Sequence, residues 1–128
     1  MAIRWVLVLA SVWCAASVAA GAFGAHALSG RLTPDRLELW RTAALYLMFS
    51  GLGALASGLV RLALNPAGGP LQSDFSGTAL LLGGAIFAGT VFALALGSPR
   101  WFGAITPIGG TLLIVGFVGL AIWVARAV

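Results

Sequence analysis

Gly21-Ala-Phe-Gly-Ala-His-Ala-Leu28 closes the first apolar stretch of the chain and carries its one histidine. Leading into it, small residues recur at helical spacing: Ala10, Cys14, Ser17, Gly21 and Gly24. Steps of four and three place all five on one helix face. In water such a face buries little. In a bilayer, where lipid tails are as apolar as leucine, helices gain from close backbone approach, and small residues permit it. The strip therefore predicts a seam along which the first helix packs against others.

Composition supports bilayer as the solvent. Of 128 residues, 61% are hydrophobic and 8% charged, and the mean hydropathy is +1.08. A soluble domain carries roughly 25% charged residues, so this chain lacks the polar side chains to cover a water-facing surface. The length suits one domain over residues 1–128. All the basic residues are arginines, at positions 4, 31, 36, 41, 61, 100 and 126, and the net charge is +4. Scattered at segment ends, they point to headgroup contacts and topology and away from nucleic acid. The single cysteine, Cys14, excludes an internal disulfide and a CxxC redox pair. Its place inside a span suggests a buried small hydrophobe. Arg4 followed by an apolar run mimics a signal peptide, but the run continues to Leu28, longer than a signal's apolar region. A retained first helix is expected.

Four apolar segments approach the roughly 20 residues needed to cross hydrocarbon: about 5–28, 40–64, 75–96 and 106–125. Thr33 and Pro34 open the second as N-cap and first helical residue, with Asp35 at the positive helix end. Its first turns are amphipathic and predict a short interfacial helical segment. Asn65-Pro-Ala-Gly-Gly-Pro70 is the strongest break. Ser73 or Asp74 caps the third span, and Thr106 and Pro107 open the fourth. Small-residue faces recur: Ala43, Ser50, Ala54, Ser57 and Gly58; Gly77, Gly84, Ala88 and Ala95; Gly109, Gly116 and Gly119. Trp5 and Trp123 fall at one interface, Trp40 and Trp101 at the other, as an aromatic belt requires. Trp13 fits neither and suits a lipid-facing or contact position. Gly24, Gly30, Thr33 and Pro34 match Gly97, Gly103, Thr106 and Pro107 at constant offset, a pattern that two repeated hairpins, or common turn chemistry, would give. The fold class is thus an all-α, four-helix membrane bundle.

Arg4, Arg61 and Arg126 lie at one end with Asp74, and Arg31, Arg36, Arg41 and Arg100 at the other with Asp35 and Glu38. Counted by basic residues, the ends nearly tie. His26 is the first chemical candidate, as an ionisable group at the end of a span. The structural alternative has it bonding backbone carbonyls or Glu38. Asp35, Arg36, Glu38 and Arg41 suit an interfacial salt-bridge ladder better than acid–base work. With Tyr46 and Thr106, the residues His26, Glu38 and Arg41 form the candidate polar set. The Thr106 region also has the form of an anion-binding helix start, though close helix contact explains it as well. No charge sits mid-span, and no phosphate loop or nucleophile–base pair is visible, so catalysis, a metal site and a cofactor are not expected.

The segments Gly21–Leu28 and Gly103-Ala-Ile-Thr-Pro-Ile-Gly-Gly110, with Trp40-Arg-Thr-Ala and Tyr46 between, resemble the small four-helix membrane family of unknown function that includes bacterial YgdD- and YwdK-like proteins. The resemblance spans nearly the whole chain. It implies an integral protein of the bacterial inner membrane with no assigned reaction and, by analogy, both termini in the cytoplasm. Members often carry Gln just after the second-span tyrosine and His four residues after it; here these are Leu47 and Ser50. A Ser-Gly-Ser-Leu-Tyr run reads Ala88-Gly-Thr-Val-Phe92. The expected role is an accessory or scaffold subunit that meets membrane lipids and other membrane helices, its own copies or a larger complex. A small transporter or channel with a polar path through Ser17, His26, Tyr46, Ser50, Thr90 or Thr106 is one alternative. A lipid- or quinone-binding protein with His26 or Arg41 at the mouth of a groove is another.

Overall fold

A computed structural model describes all of residues 1–128. In hydrocarbon every backbone polar group needs an internal partner, so apolar segments of this length become helices. Helix α1 runs Ile3–Phe23 and continues as a π-helical turn over Gly24–Leu28. Helix α2 spans Pro34–Leu64, α3 Phe75–Ala95 and α4 Thr106–Ala127. The expected interfacial segment is the first turns of α2, without a break. Short 3₁₀ turns, Pro66–Gly68 and Arg100–Ala104, lie in the α2–α3 and α3–α4 connections.

Three helix ends are settled locally. The Thr33 hydroxyl accepts from Arg36 N–H, with Pro34 next in the chain. Asp74 caps α3, its Oδ1 accepting from Gly77 N–H at 2.8 Å. At the far end of α3, Ser98 N–H reaches Ala93 O and Gly97 N–H reaches Leu94 O. This is a Schellman closure, and it needs Gly97 at φ +98°. Helix α1 has no side-chain cap. Its first N–H groups, from Ile3 and Arg4, donate instead to Gln72 O and Pro70 O of the α2–α3 turn, both at 3.0 Å.

Thr106 does not cap α4. The chain is already helical at Ile105, which makes no side-chain cap bond. The Thr106 hydroxyl lies 2.7 Å from that of Thr90 and also donates to Phe102 O. Nor do the two hairpins repeat: Gly24 is right-handed and opens a π turn, whereas its counterpart Gly97 is left-handed and closes a helix.

Helices α2 and α3 form the centre. α1 lies against α2, α4 lies against α3, and α1 and α4 do not meet. The small-residue faces of α2, α3 and α4 all turn inward, with Gly119 half-buried. A methyl group at Gly51 would meet Cys14 Sγ at 2.6 Å and Ala10 O at 3.0 Å. One at Gly84 would collide with the Ser50 side chain, and one at Gly109 with the Phe87 backbone. Only 31 of 128 residues are buried, and Val18, Phe49 and Ile114 face outward. Those side chains suit lipid, where such exposure carries no penalty.

In the α1 strip, Ala10, Ser17 and Gly24 are buried and Cys14 half-buried. Gly21 is the exception: it is exposed, with no atom within 4 Å of a would-be Cβ. The cause is Trp40. Its indole lies over Gly24, 2.5 Å from a would-be Cβ, and donates from Nε1 to Ala20 O at 2.7 Å. An indole's thickness thus separates α1 from α2 beside Gly21. Trp13 resolves as a contact residue, donating to Leu81 O at 3.2 Å.

Gly109→Ala is expected to lower the unfolding free energy in detergent by about 1–3 kcal/mol, because backbone stands in the way and overpacking costs that much. Gly21→Ala should leave it unchanged or raise it slightly. Thermal unfolding of the two purified variants measures the contrast.

Candidate functional site: a buried ion pair at one end of the bundle

The expected polar set does not assemble. His26, Glu38 and Arg41 are all exposed, and none makes a side-chain hydrogen bond or ion pair. His26 projects from the π turn without reaching Glu38 or a carbonyl. Tyr46 stacks on Phe87 and meets Phe49 edge-on, while Thr106 is bound to Thr90. The salt-bridge ladder over Asp35, Arg36, Glu38 and Arg41 does not form either. An exposed pair of this kind contributes a few tenths of a kcal/mol, too little to fix long side chains.

The charged site lies at the opposite end. Arg61 Nε stands 2.9 Å from Asp74 Oδ1, with the side chains 9% and 0% exposed. Two helix ends produce it. Ser57 and Arg61 are four apart on the inward face of α2, and Asp74 begins α3 after a short turn that folds α3 back antiparallel. Asp74 Oδ1 accepts from Ser57 Oγ at 2.7 Å and from Gly77 N–H at 2.8 Å. Arg61 also donates to Ser76 Oγ at 3.2 Å and lies over the Trp123 ring, 4.4 Å from its centroid. That stacking links α4 to the pair and is worth about 0.5–2 kcal/mol. Asp74 N–H donates to Met1 O at 2.9 Å, and Ala2 bridges Ser73. Through its backbone N–H and its carboxylate together, Asp74 thereby links residues 1–2, α2 and α3, and reaches α4 through Arg61.

The other carboxylate oxygen, Asp74 Oδ2, is buried without a hydrogen-bond partner. It faces Gly77 and Val6, and a methyl group at Gly77 would collide with it. Sequence reading placed Arg61 among the topology arginines and Asp74 among the caps; it missed that they meet. The available signal was the hairpin itself, with an arginine one turn before the end of one span and an aspartate at the start of the next.

A second feature is apolar. An open groove of about 790 Å³ separates α2 from α4 over α3, lined by residues that include Tyr46, Phe49, Gly53, Phe87, Leu113 and Phe117. It lies at mid-depth of the bundle. No group of three or more His, Cys, Asp or Glu is placed to hold a metal ion.

Four helices long and apolar enough to cross a membrane, joined by short turns and locked at one end by a buried ion pair, define a small integral membrane protein. Residues 20–110 match the family model described as "Protein of unknown function (DUF423)", and the chain belongs to that family. It is 37% identical over 116 residues to a UPF0382 membrane protein of Staphylococcus epidermidis, covering 91% of each chain. A UPF0382 membrane protein of Staphylococcus saprophyticus is 38% identical, covering 91% of this chain and 92% of its own. One from Schizosaccharomyces pombe is 35% identical over 112 residues, 83% of this chain and 89% of the relative. No solved structure matches.

Asp74→Ala should destabilise the bundle by about 3–5 kcal/mol, since it leaves Arg61 buried without its counter-ion. The double variant Arg61→Met/Asp74→Leu should recover most of that loss, because an apolar pair of similar volume replaces a charge pair with little penalty. A double-mutant cycle of unfolding in detergent reads both values.

Proposed function

We propose that this chain is a non-catalytic accessory protein of the bacterial cytoplasmic membrane that packs against other membrane helices, its own copies or a larger complex. The observation that carries the reading is a second small-residue face on α1. Ala10, Cys14, Ser17 and Gly24 turn toward α2, whereas Ser11, Ala15, Ala19 and Ala22 are exposed, spaced four, four and three apart, with Val8 and Val18 exposed among them. Small residues at that spacing let a neighbouring helix approach closely, and such contacts drive association in lipid. An outward face meant only for lipid has no need of them. Membrane lipids are the remaining partners.

The groove between α2 and α4 favours one alternative, a site for an elongated apolar molecule such as a lipid or quinone tail. Its walls are aromatic and aliphatic, and Tyr46 supplies the one phenol along them. The transport alternative draws no support. The hydroxyls of Ser17 and Ser50 donate to Ala44 O and Leu80 O, and that of Thr90 pairs with Thr106, at three separate helix contacts.

Pull-down from native membrane in gentle detergent, with native mass spectrometry of the eluate, tests the reading. More than one protein chain per particle is expected, and Ala15→Leu/Ala19→Leu should reduce it to a folded monomer. A lone monomer from the unaltered chain would sink the proposal, and retained lipid or quinone on that monomer would favour the alternative.

A further inference from the structure

We infer that the His26 end of the bundle, formed by the α1–α2 and α3–α4 turns, faces the cytoplasm and that both termini lie on the opposite side. This reverses the orientation that the family resemblance implies. Counted from sequence, three arginines at the terminal end stand against four at the other. The structure breaks this near-tie by removing Arg61 from the count. Arg61 is buried, its charge is matched by Asp74, and the Trp123 ring covers it. Its guanidinium is directed at the protein interior and away from headgroups.

Two exposed arginines then remain at the terminal end, Arg4 and Arg126. The other end keeps Arg31, Arg36, Arg41 and Arg100, all exposed and none in an ion pair. Asp35 and Glu38 share that end, but acidic residues weigh little in setting orientation. The first helix gives the same answer: Arg4 precedes α1, while Arg31, Arg36 and Arg41 follow it. Depth is consistent too. Arg41 and Arg61 are 61 − 41 = 20 residues apart on α2, about 30 Å at 1.5 Å per residue, the thickness of the hydrocarbon. Arg41 therefore sits at the headgroup boundary, where anionic lipids of the cytoplasmic leaflet attract basic side chains.

Single cysteines introduced in a Cys14→Ala background, probed with a membrane-impermeant maleimide on spheroplasts of a bacterial host, test this. The Ala127→Cys variant should label on intact spheroplasts, and the Ser29→Cys variant only after lysis. Labelling of Ser29→Cys on intact spheroplasts, alone or together with Ala127→Cys, overturns the inference; the latter result would mean a mixed population. The exposed triple variant Arg31→Gln/Arg36→Gln/Arg100→Gln, which leaves the interior untouched, should make Ser29→Cys accessible in part of the population. An unchanged labelling pattern in the triple variant would show that these arginines do not set the orientation.

Discussion

Asp74 is the constraint on which the bundle depends. A carboxylate removed from water is costly unless it is paired; here Ser57 Oγ and Gly77 N–H donate to one oxygen and the Arg61 guanidinium stands 2.9 Å from it as counter-ion, while the second oxygen has no partner. Each belongs to a different structural task. Ser57 fixes the face of α2, Gly77 N–H is an otherwise unpaired donor of α3, and Arg61 carries the link to Trp123 of α4. The backbone of the same residue holds Met1, and the neighbouring turn supplies the carbonyls that α1 needs for its first N–H groups. The start of α1, the α2–α3 turn and the cap of α3 therefore share one hydrogen-bond network.

The opposite end is tied differently. No ion pair spans it. Trp40 bridges α1 and α2 there, its indole over Gly24, its N–H on Ala20 O and its ring 4.5 Å from that of Phe92 on α3. The π turn over Gly24–Leu28 widens α1 at this point, and wider turns of this kind often mark functional positions in helices. One end is thus a closed polar lock, and the other an aromatic wedge rimmed by exposed arginines and His26. Opening of the bundle is easier to picture at the wedge, where no buried charge has to be separated.

Much of this was legible from residue order. Helix-length apolar runs, Thr33-Pro34 and Asp74 gave the spans and two of the caps, and the inward faces of α2, α3 and α4 followed from small-residue spacing. The failures have physical reasons. Gly21 obeys the period of its strip, but a period describes one helix alone, and the indole of Trp40 from the partner helix holds that stretch open. Thr106 before Pro107 has the form of a cap, yet the preceding 3₁₀ turn enters α4 already helical and leaves the hydroxyl free to meet Thr90. His26 and Glu38 drew attention because charge is rare in this chain. At a wet interface, rarity carries no obligation to pair. The pair that did form needed a three-dimensional fact, the antiparallel return of α3 against α2, before Arg61 and Asp74 became neighbours.

The arrangement of the helices bears on what the protein does. Here α2 and α3 take the centre while α1 and α4 stay apart, so each outer helix keeps a broad face toward lipid. On α4 that face is built of large side chains such as Ile114 and Val118, which lipid tails solvate well. On α1 the outward face mixes Val8, Val12 and Val18 with the smaller Ser11, Ala15, Ala19 and Ala22. The proposal of a protein partner at α1 rests on those four positions, where a second helix can come close between the valines.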